Sequence, residues 1–97
     1  MMEMQQLLRD TMDRISQIRV QLQTVDNKSN IINTYVSDFA KIAYTAEQSQ
    51  NNRYDIDELN GKLRDLLGAL ENQDEDLFVD LLEFEVKPLL EYWLTLQ

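Results

Sequence analysis

The stretch that most constrains this chain is its last, DEDLFVDLLEFEVKPLLEYWLTLQ, residues 74–97. It holds the only Trp, the only Pro and two of the three Phe. On a helical wheel at about 100° per residue, Leu77, Phe78, Leu81, Leu82, Phe84, Val86, Leu89, Trp93 and Leu96 share one broad arc. Asp80, Glu83, Lys87 and Glu91 gather opposite, while Val79, Leu90 and Leu94 spill over the edge. A helix resting on one neighbour needs an apolar stripe a little over about 100° wide, and this arc is roughly twice that. The helix should therefore touch several neighbours at once. It is either the central element of a bundle or one that also meets a second chain. On the second reading the candidate interface residues are Val79, Glu85, Val86, Leu90, Trp93 and Leu94.

Two residues interrupt the pattern. Pro88 has no N–H to give and its ring crowds the carbonyl of Phe84, which predicts a kink. Glu85 falls inside the apolar arc, where an ionised, unpaired carboxylate is costly. Either the kink turns Glu85 toward solvent or a basic side chain, or Glu85 forms a buried ion pair that fixes register with a partner helix.

Upstream, Met4, Leu8, Ile15, Ile18, Leu22 and Val25 alternate at threes and fours, with Thr11 in the one weak slot. That is a heptad seam, and it predicts a helix over about 3–25. Arg14 and Arg19 flank the seam, where they can lay their stems over it and reach acids on a neighbour. Asp10–Arg14 and Arg9–Asp13 are spaced to support the helix locally. The run Asp26-Asn27-Lys28-Ser29-Asn30 favours caps and turns, so the chain is expected to break there. Ser29 or a neighbour would then cap a second helix over about 29–49.

A competing reading keeps the seam in phase through Ile32, Val36, Phe39, Ala43 and Ala46, with no Gly or Pro to stop it. It would fuse both segments into one coiled-coil arm of about 45 residues. Beside that seam runs a second stripe through Ile31, Tyr35, Ile42 and Ala46. Tyr35 and Tyr44 are expected at the bundle edge with wetted hydroxyls.

Asp55 with Glu58 three residues on reads as a capping box and starts a helix over about 55–71. Its buried face is Ile56, Leu59, Leu63, Leu66, Leu67 and Leu70. Gly61 and Gly68 lie on the opposite face, each costing about 1 kcal/mol against Ala. They are tolerated surface residues or mark close approach of another backbone. Asp74, Glu75 and Asp76 open the last helix, about 75–96, with acids where the helix dipole favours them. Matched segments joined by short links predict one all-α domain over 1–97, an antiparallel up-down-up-down four-helix bundle.

No Cys or His occurs, which excludes disulfides, zinc sites built on Cys or His, and Cys–His or Ser–His–Asp catalysis. Gly-rich phosphate loops are missing too, because Gly61 and Gly68 sit inside a helix. The run 72–83 places oxygen-bearing residues at most positions of a calcium-binding loop. However, Leu77 stands where such a loop turns on Gly with positive φ. An enzyme is not expected, and neither is a cofactor.

The net charge of −9 is uneven. Residues 53–97 carry twelve acids against four bases, and residues 1–52 carry six against five. Such an acidic half repels nucleic acid and anionic membranes and favours a basic partner. The first residues carry acid early and lack the apolar run of a signal peptide, so a cytoplasmic setting is expected.

What remains is a helical protein-interaction module, an adaptor or assembly factor, pairing with itself as a homodimer or with a partner that presents an amphipathic or basic helix. In size, charge and class the chain resembles the small acidic helical chaperones of bacterial flagellar and type III export. That likeness implies a client protein's amphipathic helix as partner and no cofactor.

Overall fold

The computed structural model describes residues 4–24, 28–50 and 53–96. Four helical segments pack around one core: α1 (Met4–Thr24), α2 (Lys28–Ser49), α3 (Ile56–Glu71) and a C-terminal helix. The last is built of α4 (Glu75–Leu81), a π-helical turn (Leu82–Val86) and α5 (Lys87–Leu94). No strand occurs among the described residues. The bundle measures 38 × 23 × 19 Å.

Cross-links fix the directions of the helices. Arg14 of α1 pairs with Asp38 of α2. In one fused straight helix those residues would lie about 36 Å apart at 1.5 Å per residue, so the two segments fold back as an antiparallel hairpin. The residue before Lys28 lies outside the described ones, as do Val25 and Asp26; Ser29 itself sits within α2. Arg19 of α1 reaches Asp80 and Glu83, and Lys87 donates to Ser16 Oγ at 3.1 Å, so α1 and the C-terminal helix also run antiparallel. Lys62–Glu85 and Tyr54–Trp93 set α3 against the C-terminal helix in the same sense. The order is up-down-up-down.

Both ends of α3 and the start of α4 have local causes. Asp55 accepts from the Glu58 N–H and Asp74 from the Leu77 N–H, both at 3.0 Å, occupying donors that a helix start leaves free. The α3–α4 link closes with Gln73 at φ 56°. Its N–H reaches the Leu70 carbonyl, and the Asp74 N–H reaches Ala69 at 2.9 Å. This is a Schellman closure with Gln in the left-handed position that Gly usually takes.

The seam of α1 is buried as its spacing requires: Met4, Leu8, Thr11, Ile15, Ile18 and Leu22, joined by Leu7. In α2 the buried set is Tyr35, Phe39, Ile42 and Ala46, with Asp38. Val36, which the continuous seam would have buried, is 51% exposed. Tyr35 lies inside at 2% exposure rather than at the edge, and Tyr44 alone keeps the wet position.

At Pro88 the C-terminal helix responds with a wider turn. The Lys87 N–H bonds back to the Leu82 carbonyl, five residues earlier. This π-turn carries one residue more than an α-turn and relieves the contact between the proline ring and the Phe84 carbonyl. Leu82 and Val86 both stay inward, so the surplus is taken up on the outer side. Phe84, placed in the buried arc by the wheel, is consequently 69% exposed. Glu85 is swung outward as well and meets Lys62 at 3.0 Å.

Candidate functional site

The seam between α2 and α3 holds an apolar cleft. There the two helices part over a cleft of about 100 Å³. Ile32, Tyr35, Val36 and Phe39 form one wall, Leu63, Leu66, Leu67 and Leu70 the other, and Phe78 of α4 the floor. Val36 and Leu67 are the lips, 51% and 50% exposed. Past Phe78 the cleft runs on to a more polar depression lined by Lys28, Gln73, Asp74 and Glu75. The Lys28–Glu75 ion pair, at 2.6 Å, spans that end.

Its dimensions decide what the cleft can hold. Small-molecule sites usually enclose about 300–1,000 Å³ with a few convergent polar groups. The apolar part is smaller, offers carbon almost throughout and opens into the adjoining depression of about 360 Å³, an elongated shape that suits apolar side chains from another protein.

The one polar side chain among its lining residues is Tyr35, whose hydroxyl is buried and has no hydrogen-bond partner among the described residues. Burial pushes the phenol above its ordinary range, with Asp38 adding to the rise and Arg14 opposing it. Behind it, the nearly buried Asp38 carboxylate is neutralised by Arg14 across the α1–α2 seam. Arg19 binds Asp80 at 2.9 Å and Glu83 at 3.1 Å, and its guanidinium is held further into the charged form, chiefly by Glu83 and then Asp80.

Most of the interface residues expected from the sequence lie elsewhere. Val86, Leu90 and Trp93 have no exposed surface and Val79 only 4%. They are core of the single protomer, because the C-terminal helix is embraced by both α1 and α3. Leu94 is half-buried. Glu85 is exposed and paired with Lys62, so solvent and a basic side chain receive it rather than a buried pair. Trp93 is closed over by Tyr54, ring centroids 5.0 Å apart at 59°. Tyr54 directly precedes the Asp55 cap, which fixes where the chain enters α3 and so where this ring lies.

The lips Val36 and Leu67 were legible only as members of buried stripes. Gly61 and Gly68 have nothing within 4 Å of an added Cβ, so neither marks a close backbone approach. Residues 72–83 form a helix end, a cap and a helix start rather than a loop that could wrap a cation. Among the described residues, no three acids cluster as a metal site, and no helix is long and apolar enough to cross a membrane.

Residues 2–96 match the family described as Domain of unknown function (DUF8042). The chain belongs to that family. No curated protein and no solved structure matches it. The match spans all four helices, so the α2–α3 cleft and the π-turn both lie within the family domain.

Proposed function

We propose that this chain is a non-enzymatic protein-interaction module, an adaptor or assembly factor that receives the apolar edge of a partner's amphipathic helix between α2 and α3. The observation that carries this reading is the cleft itself, whose exposed lips Val36 and Leu67 stand over an apolar floor. Leaving large apolar side chains in water forgoes about 25 cal/mol for each Å² that a partner could cover. Helix-in-groove recognition uses this geometry, with anchors at intervals of three and four. An export chaperone would hold its client's helix in the same place.

Self-association loses its first motive. The C-terminal arc that argued for a second copy is covered by α1 and α3, with Trp93 and Leu90 wholly enclosed. A second copy in the cleft would show in light scattering as a multiple of 11.5 kDa.

A photo-reactive phenylalanine analogue at position 67, expressed in the source cell, tests the site. Adducts to one defined protein should form from there and not from position 44, a residue still more exposed that does not line the cleft. Equal labelling from both positions, or none from 67, would sink the proposal.

A further inference from the structure

The outward face of the C-terminal helix is a second surface, separate from the cleft. Its apolar residues are Leu77, Leu81, Phe84, Pro88 and Tyr92, at intervals of four, three, four and four. Leu77, Phe84 and Tyr92 are 42%, 69% and 56% exposed and Pro88 is exposed too, while Leu81 is half-buried against the core, so the bundle leaves most of this row in water. Such spacing is the seam of a helix pair. At 1.5 Å per residue it extends about 22 Å, four turns of a partner helix.

Carboxylates border the row on both sides. Asp80 precedes Leu81 and Glu85 follows Phe84, the flanking positions whose charges choose a partner in paired helices. Each is more than half exposed, 53% and 54%, although Arg19 and Lys62 already touch them. Asp76 and Glu91 stand beside the two ends of the row. The one base of this helix, Lys87, turns aside to Ser16 of α1. A second copy facing this row would set Asp80 and Glu85 against their own images, which disfavours self-pairing.

The geometry points to a basic amphipathic helix of a partner protein as the occupant, with apolar residues on Phe84 and its neighbours and Lys or Arg opposite Asp80 and Glu85. Together with the cleft, this gives the module two independent faces, as an adaptor needs.

The test uses two synthetic helical peptides of about 18 residues, long enough to span the row. Both carry Leu at the seam positions; one has Lys on its margins and the other Glu. Fluorescence anisotropy should show the Lys peptide binding at least about tenfold more tightly, a difference of about 1.4 kcal/mol, and weakening as salt is raised. Phe84→Ser should reduce its affinity at least about tenfold, and Glu85→Lys should narrow the preference. Phe84→Ser should not shift the urea midpoint much, because that side chain is mostly in water. Failure of the Lys peptide to bind, or binding indifferent to Phe84→Ser, would overturn the assignment. Val36→Asp separates the two surfaces. Binding lost there but kept in Phe84→Ser would move the peptide to the cleft and leave the outer row without a role.

Discussion

The seam between α1 and the C-terminal helix and the seam between α2 and α3 are built from the same kind of sequence, yet one is closed and the other gapes. In the first, Ile15, Ile18, Leu82, Val86 and Leu90 are fully enclosed. Arg19 and Lys87 tie its outer margin. In the second, Leu63, Leu66, Leu67 and Leu70 of α3 stand across an open cleft from Ile32, Tyr35, Val36 and Phe39 of α2. Periodicity supplies a direction for a side chain, but only volume across the seam closes it. An unfilled seam is where an outside side chain gains most.

Truncation on each side tests that difference most sharply. Leu90→Ala in the closed seam should cost about 2–5 kcal/mol in urea unfolding, because a fully enclosed side chain leaves a cavity. Leu67→Ala at the open lip should cost under about 1 kcal/mol. Equal losses would mean that the two seams do not differ in packing.

Tyr35 probes the α2 wall of the cleft. Tyr35→Phe removes a buried hydroxyl without a partner among the described residues and should raise stability by about 1–3 kcal/mol. The same group gives a pH signature. Its folded pKa is raised, so the folded state holds the proton more tightly than the unfolded chain. That contribution is complete below the unfolded value of about 10 and is lost as pH rises beyond it. The wild type should therefore lose stability above about pH 10 more steeply than Tyr35→Phe, measured by denaturant midpoint across that range.

The smallest effect belongs to a surface outside both seams. Gly68→Ala should stabilise α3 by about 1 kcal/mol, and Gly61→Ala similarly, since open space awaits each methyl. A loss would show that α3 uses its outer face after all.

Much of the architecture was legible. The α1 seam is buried residue by residue up to Leu22, Asp55 caps α3, and Arg14 and Arg19 reach acids on neighbouring helices. These follow from spacing and from local chemistry that a linear chain displays. Other features depended on three dimensions. A wheel drawn at a constant angle cannot anticipate a π-turn, so it put Phe84 inside and misjudged which apolar residues of the C-terminal helix were surplus. Tyr35 and Val36 are adjacent, and only the placement of α3 decides which one is enclosed. The cleft had no signature of its own, because each wall reads as an ordinary buried stripe.

The wide turn at Leu82–Val86 has one more consequence. It works as a rotational coupling between two rods that would otherwise be locked in phase. Excising one residue there would restore a uniform helix and swing everything downstream by about 100°. Trp93 would turn away from Tyr54, and the proline would again press on the carbonyl one α-turn back. The surplus residue is thus what lets this helix carry an aromatic anchor at its far end and a phenyl ring in the water midway along.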